Sequence, residues 1–215
     1  MITLYGFPHS RSLRVAWTLE ELGVDYQYHH VALDKGEGRS DPHLARHPGG
    51  KVPVIEDGEL TLFESAAICR YLTERYGDGK LLPDTPEKRA LVDQWLAFVT
   101  TELEQPLWQQ AKHTFALPEA KRVPAIVPTC AWEFQRALDA LERRFQGQRF
   151  LVDAHFTLAD LFLTHTLGWA QSMKYRLPEA LEDYRQHHCQ RPAMARATAR
   201  EKTATDAPSG NNPAE

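Results

Sequence analysis

The sequence predicts an α/β unit followed by an all-helical unit, and three observations carry that reading. Strand-length apolar runs are confined to the first third of the chain, at Ile2 to Tyr5, Asp25 to Val31 and Val54 to Phe63. Beyond Pro86 the apolar residues recur only at helical spacing. Between the two regimes Gly77 to Pro86, GDGKLLPDTP, has linker composition.

The elements follow in order. Ile2 to Tyr5 forms a first strand, and Phe7-Pro8-His9 turns into a helix from about Ser10 to Leu22, which Gly23 ends. Leu13, Ala16 and Trp17 occupy a different face from Val15, Leu19 and Leu22, so this helix is apolar around much of its circumference, as packing on a sheet requires. The strand from Asp25 to Val31 then completes a parallel β-α-β unit. From Ala32 to Gly50 the chain is polar and rich in Gly and Pro, with a short helix at Pro42 to Arg46.

Val54 and Ile55 with Leu60, Leu62 and Phe63 are joined by the turn Glu56-Asp57-Gly58-Glu59 as a hairpin, and a helix from Ser65 runs to about Tyr76. The order β-α-β, loop, β-β-α is the thioredoxin-like arrangement, without its redox cysteines. The expected organisation is therefore a thioredoxin-like domain at 1–77, a linker at 78–86, an all-helical domain at 87–200 and a tail at 201–215 without fixed structure. In the helical domain, helices are expected at Glu87 to Lys112, Pro128 to Phe145, Leu158 to Met173, Pro178 to His188 and Pro192 to Arg200. Thr157 to Asp160 has the form of a capping box with Phe156 and Leu161 as its staple, which casts Asp160 as a folding residue rather than a catalytic one.

Composition narrows the function. With 215 residues, 42% hydrophobic, 25% charged and a net charge of -4, the chain suits well-formed cores and no nucleic-acid or anionic-membrane partner, since either would call for a basic face. No apolar run approaches a membrane span, and the start has no leader pattern, so the cytoplasm is the expected address. Cys69, Cys130 and Cys189 are an odd number outside any CxxC spacing, which fits a reducing compartment and structural thiols. His187-His188-Cys189 lacks a second cluster and is a poor metal site.

The segment Lys51 to Leu72 carries the most chemistry. Pro53 stands where a strand starts and is a candidate for a cis bond, which would leave the N–H and C=O of Val52 to pair with an extended ligand backbone. Ser65 could cap its helix, leaving an anion-attracting terminus, and Glu64 beside it could receive an ammonium group. The bland alternative is an ordinary hairpin packed on a capped helix.

These motifs together resemble the cytosolic glutathione transferases, of a bacterial type with a serine-type first turn, over about residues 1–200. The resemblance rests on His47-Pro48-Gly49-Gly50-Lys51-Val52-Pro53, the Asp57-Gly58 turn, Glu64-Ser65-Ala66-Ala67-Ile68 with Tyr71-Leu72, and Thr157 to Asp160. It implies that glutathione is the co-substrate, that Val52 before cis Pro53 pairs with its cysteinyl backbone, that Glu64 and Ser65 hold its γ-glutamyl end and that Lys51 reaches its glycyl end. His47 stands where many relatives carry Asn, and its role stays open.

The first turn, Gly6 to Val15, then supplies the thiolate partner: Ser10 is the choice, Ser12 the reserve, with Arg11 and His9 as further candidates, whereas Tyr5 lies within the strand. The implied reaction joins the thiolate to a hydrophobic electrophile, with no metal or bound organic cofactor. Peroxide or disulfide reduction on the same thiolate, and a non-catalytic scaffold of the same fold, are the rival readings. Phe7, Trp108, Gln109, His113, Trp169 and Tyr175 are candidate walls of a co-substrate pocket between the halves, or core packing instead. The family also implies a two-fold homodimer.

Overall fold

The computed structural model of the chain describes residues 1–206. Its contacts divide into two units, Met1–Lys80 with the chain from Gln190 onward, and Leu81–Cys189. In the first unit β1 (Ile2–Gly6), β2 (Tyr26–His30), β3 (Val54–Asp57) and β4 (Leu60–Phe63) form one sheet in the order β2-β1-β3-β4. β1 pairs parallel with β2 and antiparallel with β3, which pairs antiparallel with β4. This mixed sheet with helices, followed by a helical unit, is the architecture expected from the sequence.

Helix α1 (Ser12–Leu22) buries eight of its eleven residues, including Val15, Trp17 and Leu19, and ends at Gly23 with φ 73°. A left-handed residue there costs glycine nothing. Short α2 (Asp41–Arg46) precedes β3, and α3 (Ser65–Tyr76) follows β4.

The second unit holds α4 (Pro86–Phe98), α5 (Glu104–Ala111), α6 (Val127–Arg144), α7 (Leu158–Ser172) and α8 (Glu179–Cys189). The single helix expected at Glu87 to Lys112 is interrupted by a π turn at Val99–Leu103. Two local causes coincide there: the hydroxyls of Thr100 and Thr101 donate to the carbonyls of Leu96 and Ala97, and Pro106 has no N–H for the turn before it.

Part of the expected linker is fixed. Leu81 and Leu82 are buried, and the Leu158 N–H donates to the Leu81 carbonyl at 2.9 Å. The capping box forms as expected: Asp160 accepts from the N–H groups of Leu151 and Thr157, both at 2.7 Å, and from the Tyr184 hydroxyl at 2.6 Å.

The last helix departs from expectation. Instead of ending near Arg200 with a structureless tail from 201, α9 (Pro192–Asp206) continues to Asp206, and it groups with the first unit. Residues 207–215 of that tail lie outside the described residues. The physical reason is a set of grips that composition hides: Arg191 bonds both carboxylate oxygens of Glu21, Arg196 bonds Glu20, Arg200 covers the Tyr26 ring at 4.8 Å, and past the expected end buried Glu201 accepts from the Tyr28 hydroxyl at 3.0 Å.

Candidate functional site

Strand register brings the candidate residues to one end of the sheet. Tyr5 pairs with Val54, and Val54 with Phe63. Because β1 runs opposite to β3 and β3 opposite to β4, the chain leaving β1 toward Ser10, the Val52-Pro53 entry to β3 and the Glu64-Ser65 exit from β4 share that end.

The first turn is bent by His9, whose φ of 57° lies in the left-handed region. The Ser10 hydroxyl donates to the Phe7 carbonyl at 2.6 Å and accepts from the Ser12 N–H at 3.1 Å. The helix starts at Ser12 and not at Ser10, so Ser10 stands just ahead of the N-terminus of α1, where unpaired N–H groups and the helix dipole favour an anion. Ser12 is fully buried; its oxygen lies 2.9 Å from Ser10 Oγ and accepts from the Phe7 N–H at 3.3 Å. Burial removes it from direct contact with a ligand. Tyr5 is committed elsewhere: its hydroxyl donates to Glu56 at 2.7 Å, and Arg46 lies 4.3 Å above its ring. Burial and the Glu56 carboxylate push its pKa up, so it is a poor source of a phenolate.

The Val52–Pro53 bond is cis. Val52 lies before the start of β3, half-buried against Tyr5, Val31 and Val54, and among the described residues its N–H and C=O have no backbone partner. The loop leading to it is fastened from beneath. Buried His43 bonds the Lys51 carbonyl at 2.9 Å, while Lys51 itself is exposed. His47 accepts from the Gly49 N–H at 3.0 Å through Nδ1 and packs on Phe63 at 4.7 Å. Burial lowers its pKa, against the pull of nearby Glu64, and the neutral ring suits the accepting role. Gly50 has φ 62°, and a Cβ there would lie 2.4 Å from the Gly38 carbonyl oxygen, so the two loop backbones meet only because this residue is glycine.

Helix α3 begins at Ser65, as the sequence indicates, but Ser65 is its first residue and not its cap. The cap position is Glu64, which makes no side-chain cap bond. Glu64 is exposed and has φ 70°, a conformation costly for a side chain with a Cβ. The first turn of α3 therefore keeps N–H groups for an incoming carboxylate beside the Ser65 hydroxyl. All seven sequence-expected positions, Ser10, Ser12, Lys51, Val52, Pro53, Glu64 and Ser65, fall at this end; Pro53 and Ser65 are buried there, and Ser12 is fully sealed off.

Within the helical unit Trp108 and Trp169 pack at 6.5 Å, Tyr175 contacts Phe134 at 4.6 Å, and His113 accepts from the Val123 N–H at 3.1 Å. Gln109 lines a cavity of about 580 Å³ with Phe98, Pro106, Trp132 and Arg136. The three cysteines are unpaired, and burial raises the pKa of each, that of Cys69 to about 12. None is a reactive thiolate. His188 is bound to the Arg149 carbonyl at 2.8 Å, and among the described residues no group of three or more His, Cys, Asp or Glu side chains could hold a metal ion.

Sequence reasoning missed two structural supports. His43 gives no signal beyond its place in a short helix. Glu201 was assigned to the tail, although Ala193, Ala197 and Glu201 recur every four residues, the spacing of one buried helix face.

Comparison with known proteins agrees with this geometry. Residues 1–74 match the family model "Glutathione S-transferase, N-terminal domain", and residues 127–196 match "Glutathione S-transferase, C-terminal domain". Glutathione S-transferase F11 of Arabidopsis thaliana is 38% identical over 175 residues, 75% of this chain and 78% of that protein. Glutathione S-transferase F6 of the same plant is 32% identical over 193 residues, 86% and 90% of the two chains. Both are plant proteins and lend no support to a bacterial type. Among solved structures, glutathione transferase F2 from Populus trichocarpa has a TM-score of 0.81 at 26% identity, covering 94% of this chain and 100% of that one. Transferase URE2P6 from Phanerochaete chrysosporium, solved with oxidized glutathione, has a TM-score of 0.79 at 27% identity, covering 94% and 97%.

Proposed function

The chain belongs to the glutathione S-transferase family, and from that premise we propose that its sheet end binds glutathione as a thiolate, supported by Ser10, for transfer to a hydrophobic electrophile. It is a glutathione transferase, with glutathione as its co-substrate. In this reading the cysteinyl backbone pairs with Val52, Glu64 takes the ligand ammonium, the α3 terminus with Ser65 takes the adjacent carboxylate, and Lys51 reaches the glycyl carboxylate.

The thiol then lies at the α1 turn. Ser10 turns its hydroxyl from the Phe7 carbonyl to the sulfur, and the helix terminus adds its partial positive charge. Lowering a thiol pKa from about 8.5 by about two units requires about 2.7 kcal/mol of preference for the anion. A charge-assisted hydrogen bond of about 1.5–3 kcal/mol covers most of that. The thiolate sulfur bonds to the electrophilic carbon, and the displaced group departs with its electron pair. The protein contributes orientation and anion stabilisation.

The single observation that carries the reading is the strand register that gathers Ser10, Val52 and Glu64-Ser65 at one end. Ser10→Ala tests it: turnover with an aryl halide should fall about 10- to 100-fold while calorimetric affinity for glutathione stays within about twofold. Unchanged turnover would reject Ser10. Running an organic hydroperoxide and a glutathionylated disulfide in the same assay identifies the reaction, and absence of glutathione binding at millimolar concentration would favour a scaffold instead. The same premise supports a homodimer in the cytoplasm, consistent with there being no helix among the described residues long and apolar enough to cross a membrane. Analytical ultracentrifugation checks the first point and fractionation the second.

A further inference from the structure

One buried carboxylate is left unused by this reading, and hydroxyl groups connect it to Ser10. Glu201 of α9 is 5% exposed and accepts from the Tyr28 hydroxyl at 3.0 Å. The Tyr28 phenol in turn interacts with the Ser12 hydroxyl, and Ser12 Oγ lies 2.9 Å from Ser10 Oγ. The contact between phenol and serine depends on Gly6, where a Cβ would lie 2.4 Å from the Tyr28 oxygen and 2.9 Å from Ser12 Cβ. The four side chains form a line from the protein interior to the N-terminus of α1.

We propose that Glu201 takes up the proton lost by the glutathione thiol, relayed through Ser10, Ser12 and Tyr28. The inference rests on Ser10 being the partner of the thiol. The S–H bond breaks with its electron pair left on sulfur, and its proton passes to Ser10 Oγ. The hydroxyl hydrogen of Ser10, swung from the Phe7 carbonyl toward Ser12 Oγ 2.9 Å away, moves to Ser12, that of Ser12 to Tyr28 and that of Tyr28 to the Glu201 carboxylate. One negative charge thus passes from carboxylate to sulfur, and every hydroxyl hydrogen ends turned toward the sulfur. Ser10 finishes as the donor that the thiolate needs.

The surroundings fit an acceptor of this kind. Burial, opposed by the Tyr28 bond, pushes the Glu201 pKa up to about 7, within reach of a thiol lowered by two units. Tyr28 and Tyr26 face it from β2. The acids of α1 that meet α9 are neutralised elsewhere, Glu20 by Arg196 and Arg200 and Glu21 by Arg191. A new thiolate would repel the Glu201 carboxylate, which favours keeping the proton on it.

The test follows thiolate and proton together. Full-length wild type, Glu201→Gln and Ser10→Ala are titrated at neutral pH with glutathione or S-methylglutathione, recording bound thiolate by ultraviolet absorbance and released protons with an indicator dye. The wild type should release about half a proton per thiolate, because about half of the Glu201 carboxyls are ionised at neutral pH and free to take one up, and Glu201→Gln about one, a roughly twofold rise. S-methylglutathione should release none from either. Should the variant not fold, infrared difference spectra of the wild type decide: a protonated-carboxyl band should appear with glutathione and not with S-methylglutathione. One proton released per thiolate by the wild type, with no such band, overturns the relay while leaving Ser10 in place. No thiolate in the wild type, or equal thiolate in Ser10→Ala, removes the Ser10 reading and the relay with it.

Discussion

Replacing Glu64 by glycine and by alanine separates two properties that this residue combines. Its φ of 70° is one that a residue with a Cβ adopts only at a cost of about 1–3 kcal/mol. Glycine relieves that cost but adds backbone entropy to the unfolded chain, worth about 0.5–1 kcal/mol in the opposite direction. The net expectation is that Glu64→Gly stabilises the protein by about 1 kcal/mol, whereas Glu64→Ala, which keeps the strain, does not. Both lose the carboxylate assigned to the ligand ammonium, a charge-assisted contact of about 1.5–3 kcal/mol. Glutathione affinity should therefore fall about 10- to 150-fold in both. Urea unfolding measures the first quantity and calorimetric titration the second. Equal stability of the glycine and alanine variants would refute stored strain, and unchanged affinity would refute ammonium binding.

Three further perturbations follow from the same structure. Asp160→Ala loses a helix cap, about 1 kcal/mol, and strands the buried N–H groups and the Tyr184 hydroxyl that the carboxylate now accepts; urea unfolding should register a loss of about 4 kcal/mol, and one below about 1 kcal/mol would mean that water replaces the carboxylate. Tyr5→Phe removes the hydroxyl that donates to Glu56 but keeps the ring under Arg46, so stability should drop by about 1 kcal/mol with turnover unchanged, and a marked loss of turnover would make Tyr5, not Ser10, the thiol's partner. Glu201→Gln should change how stability depends on pH. The folded pKa of Glu201, about 7, lies above its ordinary value of 4.5, so its contribution is complete below pH 4.5 and is lost as pH rises through 7. Above that window the wild type should be less stable by up to about 3 kcal/mol relative to its acid-side difference from the variant, and parallel pH-stability curves would contradict the burial of this carboxyl.

How much of the molecule could be read in advance depended on the range of the interactions concerned. The hairpin Val54 to Phe63 was legible because alternation and the Asp57-Gly58 turn are local signals, and the observed pairing of Asp57 with Leu60 is the tight turn they imply. The start of α3 was legible too, but Ser65 caps nothing, because a serine at the cap and a serine at the first helical position look alike in sequence. The difference lies in the backbone of Glu64. The π turn at Val99–Leu103 arises from threonine hydroxyls and a proline acting together inside a run of otherwise helical spacing.

The extent of α9 was least legible. Its last residues, Glu201 to Asp206, share the Thr- and Asp-containing composition of the tail beyond them, and what holds the helix is a set of partners about 170 residues earlier, Glu20, Glu21, Tyr26 and Tyr28. Those partners have a physical consequence. β1 leads directly into the Ser10 turn, β2 is its parallel neighbour, and α9 lies against both β2 and α1. A buried acid carried by α9 can therefore reach the back of the Ser10 turn through one tyrosine of β2, without occupying any of the surface proposed for glutathione.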